Sequence, residues 1–202
     1  FGLVGNNGAG KTTMFRLLLD LIKPSNGEVM LNENPVAGRD DWKAITGAFL
    51  DSGFLIDFFT PEEYFYFVGE LRGLDKGQVQ DFLAGYKDFF QGEILEQKKY
   101  LRDLSQGNQK KAGIIAALMG NPQLIILDEP FANLDPSTQI RLKNLLRELK
   151  ESHAVTLLIS SHDLNHVTEV CERIVVLEHG RISHDLQTEA NTLEELEEIF
   201  RV

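Results

Sequence analysis

The 202 residues predict an α/β fold in which a mostly parallel sheet is flanked by helices, with a helical segment inserted between two strands. Three observations carry this. Leu124-Ile125-Ile126-Leu127 is a continuous apolar run, the pattern of a parallel strand covered on both faces. Similar runs recur over residues 154–160 and 173–177, and segments of helical periodicity alternate with them. Such alternation implies right-handed crossovers and an open sheet. Last, a glycine-rich stretch at residues 5–12 leaves the apolar pair Leu3-Val4 and enters a helix. Ligands on such sheets bind at the carboxyl ends of the strands. The glycine stretch, Asp128-Glu129 and His162 all follow expected strand ends.

In chain order, the first helix is expected over residues 11–22, with Phe15, Leu18, Leu19 and Ile22 at helical spacing. Pro24 ends it, and Ser25-Asn26-Gly27 turns the chain into a short strand over 28–31. Residues 45–50 read as another buried strand. Composition then changes: seven aromatics (Phe54, Phe58, Phe59, Tyr64, Phe65, Tyr66 and Phe67) follow within a short span. Inside that span Thr60-Pro61-Glu62-Glu63 is a capping box with proline at the first helical position, so a helix starts there. Phe59 and Tyr64 suit a hydrophobic staple. A second helix is expected from about Asp75, with Val79, Phe82, Leu83, Tyr86 and Phe90 on one face. Residues from 53 to about 120 therefore read as a helical subdomain inserted within one domain spanning 1–202. Downstream, Leu142, Leu145, Leu146 and Leu149 mark a helix with Pro136 near its start, and the acidic tail from Glu178 ends in an amphipathic helix over 193–200.

Composition sets the bounds. An apolar content of 43% with 25% charged residues is ordinary for a soluble globular protein. The net charge of −11 without a dominating basic stripe weighs against nucleic acid as a partner. The mildly basic cluster Lys98, Lys99, Arg102, Lys110 and Lys111 is the local exception. Cys171, the lone cysteine, has no internal disulfide partner, which points to a reducing compartment and a packing role. No apolar run approaches a membrane span, and no signal-peptide pattern is present. The chain opens on Phe1, in mid-strand and without methionine, so further residues are expected upstream.

The chemistry concentrates first in Gly5-Asn6-Asn7-Gly8-Ala9-Gly10-Lys11-Thr12, which fits G-x-x-x-x-G-K-[ST]. Glycines let the backbone curl so that successive N–H groups converge on phosphate oxygens. The helix from Lys11 aims its positive dipole end at the same place. Lys11 is placed to reach the β/γ-phosphates and the Thr12 hydroxyl to complete a Mg²⁺ shell. A chance match in a glycine-containing turn is the bland alternative, and the strand-before, helix-after context argues against it. At Asp128-Glu129 an aspartate ends a buried strand, where it can hold Mg²⁺ opposite Thr12. Glu129 is then placed to accept a proton from an attacking water. Two acids after a strand can also simply cap a turn; the phosphate loop upstream favours the chemical reading.

Two further stretches complete a set of five motifs. Leu104-Ser105-Gln106-Gly107-Asn108-Gln109 precedes an apolar helix over 112–119, and Ile159-Ser160-Ser161-His162-Asp163 follows the next strand. With Asn133-Leu134-Asp135, these resemble the nucleotide-binding domain of ATP-binding-cassette (ABC) proteins, of bacterial exporter type. The resemblance covers essentially the whole chain and implies a P-loop NTPase fold and an ATPase using ATP and Mg²⁺. It makes Gly5, Asn6, Asn7, Gly8, Ala9, Gly10, Lys11, Thr12 and Thr13 the Walker A loop. Residues 124–128 become Walker B, Glu129 the catalytic base and His162 the switch histidine that senses the γ-phosphate. Residues 104–108 match the L-S-G-G-Q signature, and 133–135 the D-loop. In this family two domains sandwich two ATP molecules head to tail, so Ser105 and Gly107 would serve the partner chain's ATP. Read physically, Ser105 caps a helix whose N-terminal N–H groups favour an anion, although an ordinary serine N-cap looks the same.

Gln106 and Asn108 depart from the signature but leave Ser105 and Gly107 in place. Asp51 stands where the family usually carries the glutamine that reaches Mg²⁺ and the attacking water. The family's upstream strands, with their adenine-stacking aromatic, fall outside this chain. The expected function is the ATPase subunit of a transporter, driving export through an integral membrane subunit from the cytoplasmic face of the cell membrane. A soluble ABC ATPase acting on ribosomes or DNA is the alternative; no sustained heptads and no tandem cassette speak for it. A nonhydrolysing interaction module is disfavoured by the presence of Glu129 and His162. The remaining histidines, His153, His166, His179 and His184, are assigned no role.

Overall fold

The computed structural model describes residues 1–152 and 155–201. His153, and Ala154 at which the apolar run over 154–160 was expected to open, lie outside the described residues. The chain begins with β1 (Gly2–Val4) and α1 (Lys11–Leu18), then a two-residue hairpin pair β2 (Met30–Leu31) and β3 (Asn34–Pro35). Next come α2 (Asp41–Ile45), β4 (Thr46–Phe49), α3 (Pro61–Leu71), α4 (Lys76–Ala84), α5 (Lys87–Phe90) and α6 (Gln106–Leu118). The last third holds β5 (Leu124–Leu127), α7 (Pro136–Ser152), β6 (Thr156–Ser161), α8 (Leu164–Val170), β7 (Arg173–Glu178), β8 (Arg181–Gln187) and α9 (Thr192–Phe200).

Six strands form one sheet in the order β4-β5-β6-β1-β7-β8, and β2 and β3 pair separately. The first five run parallel; only β8, at the edge, is antiparallel to its neighbour. Side chains alternate across a strand, and the apolar runs divide accordingly. Leu3, Ile126 and Leu177 join Phe15 of α1 in a smaller core. Val4, Ile125, Leu127, Ile159, Ile174 and Val176 enter the larger core with residues of α3 to α9. Because both faces are covered, β5 reads as unbroken apolar sequence. Phe15 is wholly buried, and burial of such a side chain is worth roughly 1.5–3 kcal/mol.

The register places the site. Val4 lies opposite Ser161, and Leu127 opposite Ile159, so β1, β5 and β6 end near one edge of the sheet. Gly5, Asp128 and His162 are the residues that follow those ends.

Helix ends follow local rules. At the start of α3, Glu63 N donates to Thr60 Oγ1 (3.3 Å) and Thr60 N to Glu63 Oε2 (2.8 Å), with Pro61 at the first position. This is the capping box the sequence predicts. Asp75 and Gln78 form a second one at α4.

Four local differences have physical causes. The first helix stops at Leu18 instead of Ile22, because Asp20 adopts a left-handed conformation (φ 54°). There Leu21 N donates to Arg16 O and Asp20 N to Leu17 O, which closes the last turn in a Schellman arrangement. Leu21 and Ile22 are left exposed. The helix expected from Asp75 breaks at Gly85-Tyr86 into α4 and α5, a place where glycine weakens helical continuation. Phe90 is nonetheless buried. Within the stretch before β4, α2 forms unannounced; Trp42 is buried, and its Nε1 donates to Val36 O (3.1 Å) and Arg39 O (2.9 Å). Finally, β8 carries no apolar alternation because it is a largely exposed edge strand. Its ladder to β7 is reinforced by Arg173 Nε donating to Asp185 Oδ1 at 2.6 Å.

Candidate active site

The glycine loop turns directly off β1. Gly10, the N-cap of α1, has φ 108°, a conformation that a side-chain-bearing residue adopts only under strain. Ala9 N donates to Asn6 O (3.0 Å), and Gly180 N donates to Ala9 O (2.8 Å), pinning the loop from outside. Residues Asn6 to Thr13 line a cavity of about 250 Å³, whose remaining wall is Glu129. Lys11 is buried; its Nζ donates to Gly5 O at 2.7 Å and lies 3.5 Å from Glu129 Oε1.

Asp128, buried at the end of β5, receives two hydroxyls. Thr12 Oγ1 donates to its Oδ2 at 2.5 Å, and Ser160 Oγ donates to its Oδ1. Ser160 Oγ also accepts from Glu129 N at 2.9 Å. Glu129 itself has φ 47°, a left-handed conformation that costs a non-glycine residue roughly 1–2 kcal/mol. The turn re-aims its carboxylate back over the sheet edge. There Oε2 lies 2.8 Å from His162 Nδ1 and accepts from His162 N at 3.3 Å. The carboxylate of Glu129 is thus held between an ammonium and an imidazole.

A second cavity, of about 360 Å³, opens beside the first. Thr12, Asp51, Asp128, Glu129, Lys110 and Gln106 are among its lining residues. Asp51 is exposed, and its Oδ1 accepts from Gly53 N at 2.7 Å, so it caps a short 3-10 turn while facing the cavity. Lys110 is half-buried; its Nζ donates to the carbonyls of Glu129 and Ala132, both at 2.7 Å. Burial pushes its ammonium's pKa down, against the opposing pull of Glu129 and Asp128.

Of the signature residues, Gln106 lines this second cavity, whereas Ser105 and Gly107 line another. Ser105 N-caps α6, accepting from Asn108 N at 3.2 Å. Ser105 and Gly107 line a hollow of about 410 Å³ with Asn133 and Asp135, and no residue of the glycine loop borders it. Asp135 caps α7: hydrogen bonds from Thr138 and Ser137 hold its carboxyl far below the usual range. The structure therefore brings the glycine loop, Thr12, Asp128, Glu129, His162 and Asp51 to one edge, and Ser105 and Gly107 to a separate hollow that shares Gln106 and Asn133 with the second cavity. Sequence reasoning assigned no role to Ser160 or Lys110. A serine one residue before the end of an apolar strand was the available signal for Ser160; for Lys110 there was only its place in a basic cluster.

Among the described residues, no cluster of three or more His, Cys, Asp or Glu could hold a metal alone. The hard oxygen donors of Thr12 and Asp128 instead fit Mg²⁺, which keeps several waters and uses few protein ligands beside phosphates.

The sequence model described as ABC transporter matches residues 1–132. The chain belongs to the ABC transporter family. This ABC chain is 36% identical over 181 residues to the uncharacterized ABC transporter ATP-binding protein YhaQ of Bacillus subtilis, covering 90% of the chain and 59% of that protein. It is 28% identical to the methionine import ATP-binding protein MetN of Carboxydothermus hydrogenoformans, covering 90% and 55%. The chain thus spans between half and two thirds of the length of these relatives. Among solved structures, the dimeric MJ0796, a bacterial ABC transporter cassette, superposes with a TM-score of 0.82 at 25% identity, over 94% of this chain and 85% of that one. The mixed α/β architecture with its mostly parallel sheet is that of the ABC cassettes.

Proposed function

We propose that this chain is the ATP-hydrolysing cassette of a transporter. The observation that carries the reading is the Glu129 carboxylate, held between Lys11 and His162 next to an aspartate that Thr12 touches. The N–H groups of residues 5–13 and the Lys11 ammonium bind the phosphates of ATP. Thr12 and Asp128 would hold Mg²⁺, with Asp51 as a further oxygen donor, and the ion would supply positive charge at the phosphate oxygens. Glu129 takes a proton from the water whose oxygen attacks the γ-phosphorus. The bond from that phosphorus to the bridging oxygen breaks, and ADP and phosphate result. His162 orients Glu129 and stands where it can report on the γ-phosphate.

Ser105 and Gly107 face a surface apart from the glycine loop, which supports a head-to-tail dimer in which they meet the partner chain's ATP. In this reading the domain spans 1–202, with a helical subdomain over about 53–120. A membrane subunit is the second partner, placing the chain on the cytoplasmic face of the membrane, and nucleic acid plays no part. Export is the direction given by the resemblance to bacterial exporter subunits. Since MetN is an import protein by name, direction belongs to the membrane subunit more than to these residues. Titration of the protein with Mg-ATP tests the site: Lys11→Ala should weaken binding by roughly tenfold or more, since a charge-assisted contact to phosphate is lost. An unchanged affinity would contradict the assignment.

A further inference from the structure

Among the side chains that hold the turn carrying Glu129, Lys110 bridges its two ends. Lys110 lies on α6, one helical turn after Gln106, and its Nζ donates to the carbonyl oxygens of Glu129 and Ala132 at 2.7 Å each. The Glu129 carbonyl accepts a second time, from Ala132 N at 3.2 Å, and so closes the turn. Within that turn Glu129 is left-handed, and Asn133, just beyond it, is left-handed too (φ 61°). A backbone held in so sparsely populated a conformation persists only where its surroundings determine it. Two charge-assisted hydrogen bonds from a half-buried ammonium are such a constraint. Lys110 also leaves the carboxylate of Glu129 alone: that group meets Lys11 and His162 instead.

We propose that Lys110 is a positioning residue for hydrolysis: by bridging the Glu129 and Ala132 carbonyls, it holds the turn that aims the Glu129 carboxylate. The proposal rests on Glu129 being the general base. Because α6 also presents Ser105 and Gly107 at its N-terminus, Lys110 ties the signature helix of one site to the base of the other.

The test is steady-state ATPase kinetics of the full-length protein carrying Lys110→Met, Lys110→Arg, Glu129→Gln and the Lys110→Met/Glu129→Gln pair. Lys110→Met should lower kcat roughly 10- to 100-fold, as small misplacements of a reacting group do, while KM for ATP changes less than about threefold. Lys110→Arg, which keeps a charged donor, should stay within about threefold of the parent. In the Glu129→Gln background, adding Lys110→Met should lower the residual rate by no more than about twofold, because the group it positions is gone. The proposal is overturned by an unchanged kcat in Lys110→Met, by an arginine variant no better than methionine, or by the same fall in both backgrounds. A fully active Glu129→Gln would instead sink the assignment of the base. Should Lys110→Met not fold, Lys110→Arg against Lys110→Gln carries the comparison: arginine is expected to be several-fold faster, and equal rates overturn the proposal.

Discussion

At the sheet edge a few side chains set the site: Thr12 and Ser160 donate to Asp128, and Glu129 meets Lys11 and His162. The glycine loop and the Asp128-Glu129 pair are legible because their chemistry needs fixed residue types at fixed spacing. Ser160 was not, because its role depends on the register that sets β6 beside β5 and lets one hydroxyl touch both Asp128 and the Glu129 amide. Asp51 lies between these cases. It lines the cavity with Thr12 and Asp128, yet it also accepts from Gly53 N as an ordinary cap. A carboxylate there is a harder ligand than a glutamine amide, and it adds a third acid beside Asp128 and Glu129, so bound Mg²⁺ must offset the repulsion. In the full-length protein, Asp51→Ala should therefore raise the Mg²⁺ concentration for half-maximal ATPase by roughly tenfold, the scale of an outer metal contact. Asp51→Gln should fall between Ala and the parent. If the alanine variant keeps both its rate and its Mg²⁺ midpoint, Asp51 is only a cap.

At the scale of elements, whatever is set by neighbours in sequence could be read directly. The capping box at Thr60, the parallel run of β5 and the serine cap of α6 are of this kind. Less legible were elements that depend on distant packing, such as α2 with buried Trp42 or the edge strand β8. The aromatic run before and within α3 divides in the same way. Phe65 is wholly buried against the ring of Phe90 (centroids 5.7 Å apart), as helical spacing requires of one face. Phe54, Phe58 and Phe67, by contrast, are exposed, and Arg102 stacks over Phe58 at 4.8 Å. Exposed rings of this kind suit a contact with another protein, and we propose the membrane subunit as that partner. Replacing Phe54 and Phe58 together by serine should leave ATPase of the isolated protein within about twofold, since surface changes rarely disturb the fold. Co-purification with the membrane subunit should then be lost; undiminished co-purification would place the dock elsewhere.

For the molecule as a whole, the α/β order and its mostly parallel sheet follow from the alternation of apolar runs and helical segments. The division of labour between two surfaces does not, because it depends on where α6 points its N-terminus. Lys11, Asp128 and Glu129 gather at the sheet edge, while Ser105 and Gly107 open onto a separate hollow with Asp135. We propose that a second copy completes such a site, with ATP held between two anion-seeking helix ends. Removing the γ-phosphate contacts on hydrolysis then loosens the pair. We assign to Glu129 the driving role in this hydrolysis, within a nucleotide-bridged dimer. The most direct test is gel filtration of full-length Glu129→Gln with Mg-ATP, alongside its ATPase rate. The variant should form a stable dimer only with ATP and turn over at least about a hundredfold more slowly than the parent, the scale expected when a general base is removed. A monomer with undiminished ATPase would contradict this assignment.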